Sequence, residues 1–302
     1  MTKNLRVKSS EFIDETSRIS FKFDGKTYYG FKGDTLASAL LASNVHLIGR
    51  SFKYHRPRGI MTSGSEEPNA IVQINPNSNI TEPNARATEI EIYEGLEATS
   101  QNCWPSVNFD IGGINNFLAP FLPAGFYYKT FMWPKSFWEK YEFFIRHSAG
   151  LGKSPTTKDP DIYDHRNIHC DVLVVGAGIS GILAAKNAAK NNYKTLLIDE
   201  KNELGGSTIF ETNENKKINN TFSSEWLKKE ISEVKNIKNL EIKTRTSVAA
   251  YHQYNYLLAR ENLTDHLEKK DKKNKIRQRL LKIRAKKVIL ATGALERPLV
   301  FN

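Results

Sequence analysis

Six consecutive residues, Gly176-Ala177-Gly178-Ile179-Ser180-Gly181, have the types and spacing to hold the pyrophosphate of a dinucleotide. Gly176 permits a tight turn, Gly178 lets a phosphate approach the backbone, and Gly181 lets a helix pack closely on a strand. The amides near Ile179 and Ser180 would open that helix and face the phosphates, helped by its dipole. An acid is expected about 20 residues further on, and Asp199-Glu200 supplies it. Asp199 would accept hydrogen bonds from the adenosine ribose, and its charge would repel the extra phosphate of NADP. Glu200 is either a second acceptor or an ordinary exposed acid.

Those residues need elements to position them. Cys170 to Val175 reads as a buried parallel strand, an Ala-rich helix runs to about Asn191, and Thr195 to Ile198 forms the next strand. Leu204-Gly205-Gly206-Ser207 is similar to the loop that follows the second strand in two-dinucleotide-domain flavoproteins, and would return toward the phosphates. An amphipathic helix over 225–234 and a strand over 241–246 lead to Val248, whose backbone flanks the adenine in this fold class. Val288 to Gly293 reads as a further buried strand ending beside the cofactor at Thr292 and Gly293. Residues 167–302 therefore predict a Rossmann-like α/β domain, with an incomplete sheet.

Residues 1–100 predict a different unit. Ile19, Phe21 and Phe23 alternate, Asp24-Gly25 turns the chain, and Lys26 to Phe31 returns it. Asp34 or Thr35 caps a helix bearing Leu36, Ala39 and Leu40, and the pairs Val72/Ile74 and Ile90/Ile92 suggest later strands. This order fits a β-grasp, ferredoxin-like α+β domain. That fold often carries a 2Fe-2S cluster on four cysteines, but Gly49 to Pro68 contains none, so a version without a cluster is expected. Between the domains, 101–166 is a connecting segment. Trp104 to Phe144 is rich in aromatics, and either wraps its own domain or docks a partner; Phe137 to Ile145 reads as a short helix and Gly150 to Arg166 as a linker.

The bulk properties narrow the function classes. The chain has 302 residues, 39% of them hydrophobic and 25% charged, enough for about two ordinary cores. No apolar run is long enough to span a membrane as a helix, and no secretion signal is visible. Two cysteines, Cys103 and Cys170, exclude a disulfide framework and point to a reducing cytoplasm. The net charge of +11 is concentrated in Lys269 to Lys287, read as a solvated hairpin or loop. No nucleic-acid motif accompanies it. His46, His55, His147, His165 and His169 show no metal-ligand spacing.

Longer strings carry a family resemblance. The stretches 33–42, 49–59, 66–70, 122–134 and 291–301, among them Arg50-Ser51-Phe52-Lys53-Tyr54-His55-Arg56-Pro57-Arg58-Gly59, resemble the alpha subunits of heterotetrameric sarcosine oxidases. The resemblance implies a cytoplasmic oxidoreductase acting on a CH–NH bond, which turns sarcosine into glycine with oxygen and tetrahydrofolate, giving hydrogen peroxide and 5,10-methylenetetrahydrofolate. It implies NAD on this subunit, FAD and FMN elsewhere in the complex, and beta, gamma and delta partner subunits. It carries NAD binding onto Ser180, Asp199, Glu200, Lys201, Ser207 and Val248, beside Gly176, Gly178 and Gly181, while Ala177, Ile179, Gly205, Gly206, Thr292 and Gly293 belong to the same loops. A family alpha subunit continues into further domains, so the chain is expected to be a part of one, and no catalytic residue is assigned within it. The alternatives are an alpha-type subunit of a related amine- or opine-oxidising dehydrogenase, and a non-catalytic docking module that bears a nucleotide.

Overall fold

The computed structural model describes residues 5–6, 13–76, 78, 80–121, 125, 133–148, 152–210 and 216–294. The chain divides into two compact units, one centred on Ile13–Pro160 and the other on Asp161–Leu295.

In the first unit β1 (Asp14–Phe23) and β2 (Lys26–Lys32) form a hairpin. Its turn residues Asp24 and Gly25 have φ of +48° and +75°, the left-handed pair that suits a two-residue connection. Thr35 caps α1 (Leu36–Ala42) through a reciprocal hydrogen-bond pair with Ser38, and the helix buries Leu36, Ala37, Ala39 and Leu40. A small hairpin, β3 (Gly49–Arg50) with β4 (Pro57–Arg58), follows. Then come β5 (Ile71–Ile74), β6 (Glu82–Arg86) and β7 (Leu96–Ser100). The sheet order is β2-β1-β7-β5-β6, with β7 parallel to β1. Phe21, Phe23, Leu40, Ile48, Val72 and Leu96 form the core beneath α1. This is the β-grasp arrangement. Ile90 and Ile92 are not a strand, however; only an isolated bridge joins Glu91 to Thr35, and the last strand begins at Leu96.

The aromatic segment belongs with this unit. It includes a 3-10 turn at Ile111–Asn116 and the helix α2 (Trp138–Ser148). Phe117, Phe121 and Trp133 are each about 80% exposed, at 81%, 80% and 83%. Residues 122–124 and 126–132 of the Trp104–Phe144 stretch lie outside the described residues.

The second unit opens earlier than expected. β8 spans Ile162–Val175, so the residues 162–166 placed in a linker are strand. α3 (Ile179–Lys190), β9 (Thr195–Ile198), a minor hairpin of β10 (Lys217–Ile218) and β11 (Thr221–Phe222), and α4 (Ser223–Lys235) follow. β12 (Leu240–Lys243), β13 (Thr246–His252), β14 (Tyr256–Asn262), the short α5 (Lys269–Lys272) and β15 (Ile276–Leu290) complete the described part. The expected strand over 241–246 thus breaks into two, β12 ending at Lys243.

The sheet order is β12-β9-β8-β15-β14-β13. The first four strands are parallel and the last two return antiparallel. The C-terminal end of β8 is buried on both faces: Val172 and Val174 pack with α3 and α4, Leu173 and Val175 with Leu257, Leu281 and Ile283. The basic run is also corrected. Most of Lys269 to Lys287 is β15, a central strand, because Arg279, Leu281, Ile283 and Ala285 point inward at period two. Three of the six cations on this strand meet carboxylates. Arg279 meets Asp164 and Glu261, Arg277 meets Asp161 and Asp265, and Lys286 meets Asp171. Burial at the far end is less than expected, since Ile289 and Leu290 are 37% and 59% exposed among the described residues.

Candidate functional site

β8 delivers the chain to Gly176 at the C-terminal edge of the parallel strands, where α/β sheets bind ligands. Gly176 turns there with φ of +95°, and a Cβ on it would lie 2.4 Å from the Ala291 carbonyl oxygen. Gly181 is tighter: its Cβ would lie 1.8 Å from the Gly176 carbonyl oxygen. Gly178 differs from both. A Cβ there would meet nothing nearer than Gly206 Cα at 4.0 Å, so the space above it is open to a ligand. Gly178 is also the N-cap of α3, and no side chain caps the first turn. The N–H groups of that turn and the helix dipole therefore face open space, as a phosphate site requires. Ser180 is exposed beside them and Ile179 half-buried.

Ala177 is buried, and its N–H points the other way, donating to Asp199 Oδ2 at 2.5 Å. Asp199 Oδ1 accepts from the Lys201 N–H at 2.8 Å. The Asp199 backbone is held as well, its N–H on the Lys243 carbonyl at 2.9 Å and its carbonyl on the Thr246 N–H at 2.8 Å. Asp199 thus braces the glycine loop, β12 and β13 against one another. Each carboxylate oxygen keeps a further lone pair, so ribose hydroxyls can add to these bonds.

The second glycine loop closes on the first. Gly205 N–H donates to the Ala177 carbonyl at 2.8 Å, and Gly206, at φ +58°, lies so near Gly178 that a Cβ would be 2.8 Å from its Cα. Ser207 is exposed on the 3-10 turn that follows, Gly206–Phe210. Thr292 lies against Gly176 on the opposite side, and Gly293, at φ +68°, is open. α3 is fixed from behind by Lys186, which reaches Glu230 at 2.5 Å and Glu233 at 2.7 Å on α4. Those two carboxylates hold the Lys186 ammonium above its ordinary value. Burial pushes the thiol of Cys170, on β8, up to about 11, so it offers no thiolate to this site. No cluster of metal-ligating side chains occurs among the described residues.

Two family models match the chain. Residues 16–103 match a 2Fe-2S iron-sulfur cluster binding domain, and residues 170–302 match the pyridine nucleotide-disulphide oxidoreductase family. The alpha subunit of the sarcosine oxidase of Rhizobium meliloti (strain 1021) is 46% identical over 298 residues, 98% of this chain. This chain is a homologue of sarcosine oxidase alpha subunits. The corresponding subunit of Corynebacterium sp. (strain U-96) is 31% identical over 96% of the chain. The chain spans only part of these relatives, 30% of the first and 25% of the second. Among solved structures, an L-proline dehydrogenase from P. horikoshii superposes with a TM-score of 0.60, at 18% identity, over 98% of this chain and 45% of that one. That likeness concerns the fold.

In this sarcosine oxidase alpha-subunit homologue the residues expected at the dinucleotide site fall into two groups. The fold brings together Gly176, Ala177, Gly178, Asp199, Lys201, Gly205, Gly206 and Thr292 through the contacts above. Glu200 and Ser207 stand exposed at its margin. Val248 enters through its strand: Thr246 bonds to Asp199, and a β-bulge between Val248 and Ala250 interrupts pairing with β14 there. Its side chain packs inward on the core. Sequence reasoning missed Arg245 and Lys243. Arg245, at φ +51°, donates its N–H to the Lys201 carbonyl at 2.8 Å. Only its place between two strand patterns could have signalled it.

Proposed function

We propose that this chain is the dinucleotide-binding part of the alpha subunit of a sarcosine-oxidising complex, and that its dinucleotide is NAD. Such a complex oxidises sarcosine at its CH–NH bond, with oxygen and tetrahydrofolate as co-substrates, FAD and FMN as its flavins, and beta, gamma and delta subunits beside alpha. The uncapped first turn of α3 above the open Gly178, braced by Asp199, carries the reading of the site. Homology over 98% of the chain supports the reading of the complex. The residues of this chain bind and orient the dinucleotide: the glycine loops admit the pyrophosphate, the α3 amides take its charge, and Asp199 receives the ribose. No residue here is given a role in the oxidation itself. The β-grasp unit belongs to the reading as a domain without a cluster, since residues 16–103 contain one cysteine, Cys103.

Calorimetry on the full chain with NAD, NADP and FAD tests the site. NAD should bind most tightly, and Asp199→Ala should weaken it by about 1–3 kcal/mol, the worth of hydrogen bonds to a charged acceptor. Equal or tighter binding of NADP or FAD would defeat the assignment. The exposed aromatics around Trp133 and Trp138 are, in the same reading, the docking face for a partner subunit. Changing either to Ala should cost about 2 kcal/mol or more in association while folding holds; unfolding with normal affinity would place them in the core instead.

A further inference from the structure

The loop joining β4 to β5 is organised around one side chain. Glu67 is 1% exposed. Its Oε2 accepts from the Met61 N–H at 2.8 Å, the Thr62 N–H at 2.7 Å and the Thr62 hydroxyl at 3.2 Å. Its Oε1 accepts from the Asn69 N–H at 2.7 Å and the Ala70 N–H at 3.0 Å. A carboxylate taken out of water is costly unless it is hydrogen-bonded, and here five donors converge on it. A second contact closes the loop from outside: the hydroxyl of Thr88, itself buried, donates to the Gly64 carbonyl at 2.7 Å.

Plant-type 2Fe-2S loops carry their cysteines as C-x4-C-x2-C, with the fourth ligand arriving from elsewhere in the chain. Thr62, Glu67 and Ala70 have that spacing. Spacing alone would be empty, since any stretch contains it. What singles out this triple is geometry: the side chain at the middle position gathers the N–H groups of both outer ones. The residue that the fold brings to the loop from outside is Thr88. A thiolate-ligated cluster is an anion whose sulfurs accept hydrogen bonds, and a carboxylate offers inward-turned N–H groups the same kind of partner.

We propose that the Glu67 carboxylate stands in the place of the cluster, with Thr62, Glu67 and Ala70 at its three grouped ligand positions and Thr88 at the fourth. The loop is then held by an anion built into the chain, and the unit carries no electrons. The inference rests on the reading of this unit as lacking a cluster and says what replaced it.

Three measurements on the full chain separate the two ideas. Iron and sulfide reconstitution of the unaltered protein should give no stoichiometric cluster; visible absorbance showing one would overturn both. Glu67→Gln puts an NH2 donor against N–H groups. Hydrogen exchange of the 59–71 peptide should rise about tenfold or more, while the peptide over 176–190 stays unchanged. Unchanged exchange at 59–71 would overturn the role of Glu67 and leave the cluster-free reading standing. The third measurement restores the ligands, as Thr62→Cys, Glu67→Cys, Ala70→Cys and Thr88→Cys together. Uptake of iron with a reducible visible chromophore is expected, and a folded variant with four free thiols and no iron would overturn the positional match.

Discussion

Two loops in this chain treat their backbone N–H groups in opposite ways. In the first unit the 61–70 loop turns four of them, with a hydroxyl, onto the Glu67 carboxylate. In the second unit the loop from Gly176 to Gly181 gives Ala177 N–H to Asp199 but leaves the first turn of α3 without a side-chain cap. One loop is complete in itself; the other leaves its first helical turn open, where the proposed dinucleotide would place a phosphate. A carboxylate within the loop closes it to ligands, whereas a glycine N-cap keeps it open. The same contrast separates glycines that serve the fold from one that, in the proposed reading, serves the ligand.

The largest effect should come from Gly181→Ala, whose methyl group would lie 1.8 Å from the Gly176 carbonyl oxygen. Strain against backbone cannot be relieved by a rotamer, so a loss above about 3 kcal/mol is expected. A thermal melt of the second unit measures it, and near-normal stability would show that the loop is looser than the comparison requires. Gly178→Ala should do the reverse. Its φ of −69° suits alanine and an added methyl group would meet only Gly206 Cα, at 4.0 Å, so the fold should hold while dinucleotide affinity falls roughly tenfold, about 1.4 kcal/mol. Loss of stability without loss of affinity would collapse the distinction.

The smallest effect is in pH. Burial alone pushes the Glu67 carboxyl up, but the N–H groups of Thr62, Asn69, Met61 and Ala70 together draw it below its ordinary value. A depressed folded value means that the stabilisation is complete above the unfolded value of about 4.3 and fades as pH falls through the folded one. The melting difference between the unaltered chain and Glu67→Gln should therefore shrink only on the acid side. A difference that instead shrank toward alkaline pH would contradict the charge argument.

How much could be read beforehand differs between these regions for the same reason. The glycine loop, the Asp24-Gly25 turn and the Thr35 cap were legible because each is decided within a few residues, by φ preferences and a neighbouring hydrogen bond. The 61–70 loop was not, because Glu67 carries no mark of burial in the sequence until its loop folds round it and Thr88 closes that loop on Gly64. The basic run was only partly legible. It is one arm of the β14–β15 hairpin, and Arg284, Lys286 and Lys287 are exposed as expected, but Arg277 and Arg279 turn onto Asp161 and Asp164, more than a hundred residues away.

By itself, then, the sequence determined the two fold types, the hairpin, the capped helix and the glycine motif with its acid, all encoded in local chemistry and period. Tertiary structure alone decided that the basic run is a central strand, that Asp199 ties three segments together, and that Glu67 closes its loop. The first two depend on partners distant in sequence. Glu67 takes its donors from two to six residues away, and only its burial waits on the rest of the fold, because whether a charge is solvated, paired or buried is settled when the groups around it meet.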